Sequence, residues 1–512
     1  MTRLLEQDPH DRALRAAVAP PAWRNPEPAA CYDLLVLGAG TAGLVAAAIA
    51  AGLGAKVALI EQHLMGGDCL NAGCVPSKAL LAAAHRLAAA RRLGEYGVSA
   101  PAPAADFAAV MERMRRLRAQ IGPHDGADRF RRLGVDVFLG RGCFAGPALA
   151  EVEQPDGALL ALSFKRALIA TGAGPMTLPV PGFADANCLT NETLFALTEL
   201  PRELVVVGAG PIGAEMAQAF ARFGAKVRVI ALDPRLLPRE DADAAALVEG
   251  ALRADGVELQ LGAGLERLER RGGQQIVHWA VPGPGGTTLA RGEVAGDQVL
   301  LALGRAPNVE GIGLEQASVA YTRKGVQVDE CLRTTNPRIF AAGDVAGLWQ
   351  FTHAADHMAR LAIRNAFFFG RGRHAALPMA WCTYTDPEVA HAGLYASESE
   401  RAGCELEELR MDFSALDRAI LEGETAGFAK VVIEKRSGRL RGATVAGAHA
   451  GEILAGALLP IARREQATAL AAAIHPYPTV ASVWGRLGDA ANRRRFTPRA
   501  ARLLRGLIRL RR

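Results

Sequence analysis

Aromatic residues are scarce, 5% of a 512-residue chain, while alanine and glycine are abundant. Such a composition suits helices packed closely on sheets and shows no sign of bulk disorder. An apolar h-region is lacking at the N-terminus, which carries charges within its first eight residues, so no secretory signal is expected. Cysteine is too sparse for a disulfide framework: of eight, Cys31, Cys143, Cys188, Cys331, Cys382 and Cys404 are scattered singly, as small buried hydrophobes usually are. Acid is missing from Arg493 to Arg512, which holds nine arginines; without them the formal charge falls from +6 to −3. The basic balance is therefore a property of the tail, and a nucleic-acid-binding face is not expected. Charge is also missing from Leu34 to Ala55, the one stretch that imitates a membrane span. Its glycines follow a phosphate-binding pattern, and a related stretch further on carries a glutamate, which argues against a span.

What is present begins with length, which predicts two to four domains. It continues with a repeat. "LLVLGAGTAGLVAAAIAAGLGAKVALIE" (34–61) and "LVVVGAGPIGAEMAQAFARFGAKVRVIA" (204–231) align without a gap at an offset of 170. Each reads as strand, Gly-rich turn, helix, Gly and strand, the context a dinucleotide fingerprint requires. Gly38 and Gly208 permit the tight turn. Gly40 and Gly210 let backbone approach a pyrophosphate, and Gly43 and Gly213 let helix pack on strand. Thr41 and Ile212 lie in the same turns. Eighteen residues after Gly43 stands Glu61, placed to accept from ribose hydroxyls; the equivalent after Gly213 is Ala231, which cannot. The second unit is thus open between NADH and NADPH: Asp233 suits a free 2′-hydroxyl, Arg235 or Arg239 a 2′-phosphate, and NADPH is slightly favoured. Two dinucleotide sites in one chain suggest a bound flavin, FAD, exchanging electrons with a diffusing nicotinamide.

The stretch "GGDCLNAGCVPSK" (66–78) holds the one close cysteine pair, Cys69 and Cys74. A metal clip would need a second Cys or His pair nearby, and none is there, so no metal is expected. A structural staple across so short a loop gains little chain entropy. A working redox pair has a physical basis, because the residues from Cys74 onward read as a helix and thiols near helix N-termini have depressed pKa values.

These stretches occur in order with "ATGAGP" (170–175), "LGRAPN" (303–308), "AAGDV" (341–345), "TDPEVA" (385–390) and "HPYPT" (475–479). Together they resemble the flavin-dependent pyridine nucleotide–disulfide oxidoreductases, the family of dihydrolipoamide dehydrogenase, glutathione reductase and mercuric reductase, over about residues 31–490. The resemblance implies an α/β fold: two Rossmann-like domains, for FAD and NAD(P), and a C-terminal α+β dimerisation domain. It places an FAD-binding domain at 31–175 and 300–375, an NAD(P)-binding domain at 176–299 and a dimerisation domain at 376–490. Residues 1–30 form an extension, a short helix and Pro-rich lead-in outside the common core, and 491–512 a basic amphipathic tail. It implies that Cys74 lies against the flavin as the charge-transfer thiolate and that Cys69 attacks the substrate. Lys78 pairs with Glu215 where hydride arrives. Gly67, Thr171, Gly172, Gly304 and Gly343 belong to the cofactor site, Asp344 accepts from the ribityl chain, and Thr352, His353 and Ala354 present a helix N-terminus to the flavin pyrimidine edge.

The chain departs from the pattern at several points. Disulfide-reducing relatives carry a His–Glu dyad, supplied across the dimer, where this chain has Tyr477 and Ser482. A tyrosine is a poor base near neutrality, so efficient lipoamide or glutathione turnover is not expected. Tyrosine there is shared with mercuric reductases, but a terminal cysteine pair and an N-terminal CxxC module are not found in this sequence. His475 would reach the same site if the segment is extended, and Tyr477–Pro478 is expected to be cis. Asp68 stands where many relatives have threonine, and is expected to raise the Cys69 pKa and disfavour anionic substrates. The main expectation is a homodimeric FAD-dependent NAD(P)H oxidoreductase, mercuric-reductase-like, that passes electrons to a disulfide, soft metal ion or other small acceptor. Dihydrolipoamide dehydrogenase is the alternative enzyme, and a low-turnover flavoprotein sensor or membrane-associated adaptor the alternative of another class. The expected location is cytoplasmic. Leu503, Leu504, Leu507 and Ile508 form a stripe edged by arginines, the one candidate for peripheral membrane contact.

Overall fold

The uncharged runs that precede both glycine turns become central strands. Leu34–Leu37 is buried at every position, as a strand covered on both faces requires. It pairs in parallel with Val57–Glu61 and Ala167–Ile169, in a five-stranded sheet completed by Val135–Leu139 and Ile339–Ala341. Glu203–Val207 is the equivalent strand of a second parallel sheet, between Lys226–Ala231 and Gln298–Leu301, with Glu258–Leu261 outermost. Each sheet has its three-stranded antiparallel companion, Arg141–Gly146 to Leu159–Ser163 in one case and Gly264–Arg271 to Thr288–Gly296 in the other. This is a computed structural model, and it describes residues 2–99, 101, 103–154, 157–368, 370–376, 378–495 and 498–511.

The chain divides into two units, one of Met1–Pro234 and Gly256–Ala376, the other of Arg235–Asp255 and Leu377–Arg512. The second unit is built on a five-stranded antiparallel sheet, with Glu388–Gly393, Leu440–Gly447 and Phe428–Glu434 at its centre. Helices Ala450–Ala462 and Val483–Arg495 supply the apolar face that covers it, with Trp484 fully buried. The helix Ala242–Ala254 joins this unit for an electrostatic reason. Lys430, 4% exposed, pairs with Asp241 at 2.7 Å and Asp243 at 3.1 Å, while Glu240 accepts from Trp381 Nε1 and the Tyr395 hydroxyl. A buried ammonium without such carboxylates would be costly.

In the first unit the N-terminal extension packs against the body of the fold. It does form a helix, Pro9–Val18, started by Asp8 capping the amides of His10 and Asp11. Leu14 and Val18 are fully buried in the same core as Leu34, Val36 and Met65. No helix of the described residues is long and apolar enough to cross a membrane. The tail helix Pro498–Leu510 exposes Leu503, Leu504, Leu507 and Ile508.

Candidate active site

The two cysteines sit on successive helices, Gly67–Asn71 and Cys74–Arg91. Gly66 at φ 90° and Gly67 at φ 57° make the turn into the first, a conformation glycine adopts without the Cβ penalty. Both cysteines are free thiols, Cys69 half-buried and Cys74 exposed. Cys69 and Cys74 act on each other as hydrogen-bond donor and acceptor. Accepting that bond is the main cause that lowers the Cys74 pKa to about 6, and donating it is what raises that of Cys69. The Thr352 hydroxyl, 3.3 Å from Cys74 Sγ, and the Lys78 ammonium add to the lowering. One thiol is thus poised as thiolate and the other held protonated, the asymmetry a nucleophile–leaving-group pair needs. Lys78 Nζ lies 2.8 Å and 3.1 Å from the two carboxylate oxygens of Glu215, whose side chain is 5% exposed.

Around this pair the glycine turns leave no room for a side chain at Gly38, Gly43 or Gly67. A Cβ on Gly38 would lie 2.4 Å from Ala170 O, one on Gly43 1.9 Å from Gly38 O, and one on Gly67 2.6 Å from Gly40 Cα. The helix Thr41–Gly52 begins at Gly40 without a side-chain cap, so its first amides are left for an anion. Glu61, at the end of its strand, accepts from the amides of Ala39 and His63, and burial pushes its carboxyl up. The second turn repeats the arrangement: a Cβ on Gly208 would lie 2.3 Å from Ala302 O and one on Gly213 2.2 Å from Gly208 O. The helix Pro211–Phe223 again lacks a side-chain cap, and Ile212 in its first turn is 39% exposed. Thr171 and Asn308 hold the adjoining crossover by reciprocal bonds, with Gly172 and Gly304 at φ 68° and 108°. Gly343, at φ 82°, brings backbone past Ala42 and Ala355 and into Asp344. The helix Thr352–Phe367 starts without a side-chain cap; Ala354 is buried, and His353 stacks on Phe351. These spaces and donors fit an adenine dinucleotide with a second ligand of the same class.

Asp68 is corrected by the structure. Its carboxylate faces Arg305 Nη1 at 3.2 Å and accepts from Asn191 Nδ2 at 2.8 Å. Its charge raises the pKa of Cys74; the carboxylate that acts on Cys69 is Asp125. Arg305 also lies 3.6 Å from Asp344, so one guanidinium ties the redox turn to the loop after Gly343. Burial pushes both carboxyls up and Arg305 pulls them down. Arg305, Asp125 and the Thr352 hydroxyl were beyond sequence reasoning. Arg305 stands inside LGRAPN, but only its distant partners disclose its role.

In the second unit Tyr477–Pro478 is cis. The Tyr477 hydroxyl, exposed, donates to Asp417 Oδ2 at 2.9 Å, which raises its pKa. His475 turns elsewhere: its Nε2 donates to Leu470 O at 3.1 Å and its ring packs on Gly485. The two side chains share no partner among these bonds. No cluster of three or more His, Cys, Asp or Glu that could hold a metal occurs among the described residues.

Two nucleotide cradles of one design, with a polarised dithiol beside the first, define a dinucleotide-dependent redox protein. Comparison with known proteins gives the family. Residues 32–359 match the pyridine nucleotide-disulphide oxidoreductase family and 379–487 its dimerisation domain, and the chain belongs to that family. The family is FAD-dependent, with NAD(P)H as electron donor. Among its relatives are a mercuric reductase of Streptomyces lividans, 34% identical over 88% of this chain and 94% of that one, and a dihydrolipoyl dehydrogenase of Mycobacterium bovis, 35% identical over 88% and 96%. Similar solved structures include LpdA from Mycobacterium tuberculosis, TM-score 0.81 at 27% identity over 89% of this chain and 99% of that one. Another is the Cu(II) complex of the HOCl-induced flavoprotein disulfide reductase RclA from Escherichia coli, TM-score 0.79 at 26% identity over 90% and 100%.

Proposed function

We propose that this chain works as a homodimeric NAD(P)H oxidoreductase whose Cys69–Cys74 dithiol delivers electron pairs to a soft metal cation. The observation that carries the reading is the polarised pair, Cys74 lowered to about 6 by its bond from Cys69 and by Thr352 and Lys78. FAD, when bound, supplies two-electron exchange between nicotinamide and dithiol. Gly38, Gly40, Thr41 and Gly43 would hold its pyrophosphate, Glu61 its ribose, Asp344 its ribityl chain and the Thr352–Ala354 amides its ring edge. Gly208, Gly210 and Gly213 would hold the nicotinamide's pyrophosphate. Glu215 fixes the Lys78 ammonium one helical turn from Cys74, where it favours negative charge on that sulfur.

In the exit step the pair, Cys69 as thiol and Cys74 as thiolate, loses two electrons and the one proton of Cys69 and closes a sulfur–sulfur bond. One Hg(II) takes both electrons, or two Cu(II) take one each, and the proton passes to solvent. A cation is favoured over an organic disulfide for two reasons. Asp125 lies in the field of Cys69 and Asp68 in that of Cys74, which attracts cations and repels carboxylates. A disulfide also needs an acid to protonate its leaving thiol. The Tyr477 hydroxyl, its pKa raised by Asp417, is poorly suited to that, and His475 is tied to Leu470 O.

The test is NAD(P)H oxidation by the holoprotein against Hg(II), Cu(II), lipoamide, glutathione disulfide and a quinone. Metal turnover should exceed disulfide turnover about tenfold or more, the scale of one lost general acid being 10²–10⁴. Faster turnover of lipoamide would establish the dihydrolipoyl dehydrogenase reading instead, and silence with every acceptor the sensor reading.

A further inference from the structure

The N-terminal extension lies outside the family match, which begins at residue 32. It is nonetheless wired to the turn that carries Cys69. Asp11 and Arg118 form an ion pair at 2.6 Å, 2% and 0% exposed. The other arm of the Arg118 guanidinium donates to Asn71 O at 2.7 Å, the last residue of the Cys69 helix. Asn71 Nδ2 in turn donates to Met65 O and Gly67 O, closing the turn on itself. Backbone adds a second fastening, from Met65 N to Val18 O at 3.2 Å. A third runs over the opposite side: Arg3 N donates to Glu192 O, and the neighbouring Asn191 donates to Asp68.

The fit between extension and body is close. A Cβ on Gly126 would lie 2.8 Å from Ala17 O, and one on Gly122 2.8 Å from Leu14 Cδ1. An outer ion pair, Asp8 with Arg115 at 2.7 Å, holds the start of the helix to the same helix that bears Arg118. Asp11 also accepts from Leu5 N, so it fixes the segment before the helix as well as the arginine. A helix anchored only for its own stability would need none of the contacts to residues 65–71.

We propose that residues 2–21 are a built-in brace for the redox turn, with Asp11 and Arg118 as positioning residues that hold Cys69 where its thiol donates to Cys74. The inference rests on the dithiol reading above. Loosening the turn lengthens the hydrogen bond from the Cys69 thiol to the Cys74 sulfur. Cys74 then loses its main stabilising donor, and Cys69 becomes more open to solvent.

The experiment uses the full-length holoprotein, reduced with dithionite, and follows iodoacetamide alkylation of each cysteine against pH by mass spectrometry. In D11A the Cys74 midpoint should move upward by about half a unit or more, and Cys69 should alkylate several-fold faster. FAD content should stay at the wild-type level, and D11E should restore the profile in part. If D11A does not fold, D11N is read in the same assay with the same expected direction. A folded variant with a wild-type profile at both cysteines overturns the brace. Failure of the underlying reading looks different: the wild-type protein itself would then form no Cys69–Cys74 disulfide on oxidation.

Discussion

The two glycine turns are built alike and used differently. In both, a Cβ on the first or third glycine would lie within 2.5 Å of a backbone oxygen, so neither position admits a side chain. The middle glycines diverge. A Cβ on Gly40 would meet Gly67 Cα at 3.7 Å, whereas one on Gly210 would meet nothing within 4 Å. The first turn is roofed by the redox segment; the second is not. The ends diverge as well: Glu61 closes the first unit with a buried carboxylate held by two amides, and Ala231 closes the second with a methyl group. A repeat thus retains what the backbone demands and varies what touches the ligand. The redox pair belongs to the roofed copy. Lys78 and Glu215 join its helix to the helix of the open one.

The largest effect should come from breaking the roof. Gly67 is held at φ 57° with its α-carbon against Gly40. Gly67→Ala adds a Cβ 2.6 Å from Gly40 Cα, a backbone contact that no rotamer relieves. Strain of the left-handed conformation and overpacking together cost about 2–4 kcal/mol. The purified protein should lose most of its flavin, read by visible absorbance, and melt several degrees lower. Gly210→Ala, in the open turn, should keep both flavin content and melting temperature. Equal damage from both substitutions would mean that the roof does not distinguish the copies.

A second, smaller effect concerns the thiolate beside the roofed turn. Cys69→Ala removes the donor that does most to lower the Cys74 pKa. In the wild type Cys74 should react as thiolate down to about pH 6 and lose reactivity below it. Without Cys69 the alkylation midpoint should rise by about one unit or more, since one hydrogen bond to a charged form is worth that much. An unmoved midpoint would assign the lowering to Thr352 and Lys78 instead.

How much of this was legible beforehand follows from range. The glycine turns, the strands around them and the Lys78 spacing are local patterns, and a gapless repeat made them readable. The dimerisation match and the α/β class followed from ordered motifs. What stayed hidden was set by long-range pairing. Arg305 is 237 positions from Asp68, Thr352 is 278 from Cys74, and Arg118 is 107 from Asp11. The same limit misdirected Asp68: proximity in sequence assigned its charge to Cys69, while Arg305 and Asn191 turn the carboxylate so that Cys74 receives it. The docking of the extension was hidden for the same reason: Leu14 and Val18 are buried, but the ion pairs that fix them, Asp8 with Arg115 and Asp11 with Arg118, each span 107 positions.

The smallest effect tests the ends of the two copies. Ala231 occupies the place of Glu61, and Ala231→Glu would give the second copy the acid of the first. A carboxylate there accepts from a free 2′-hydroxyl and repels a 2′-phosphate. In the present sequence Arg235 and Arg239 are the candidate partners of such a phosphate. Arg235 donates through Nη2 to Pro238 O inside its own loop, and Arg239 is exposed. The wild type is therefore expected to prefer NADPH, and Ala231→Glu to shift kcat/KM about tenfold towards NADH, the scale of one charged hydrogen bond of about 1.4 kcal/mol. Arg239→Ala should move the ratio the same way by a smaller factor, because it removes an attraction without adding a repulsion. If the wild type already prefers NADH and neither substitution changes the ratio, discrimination does not lie at the end of this strand.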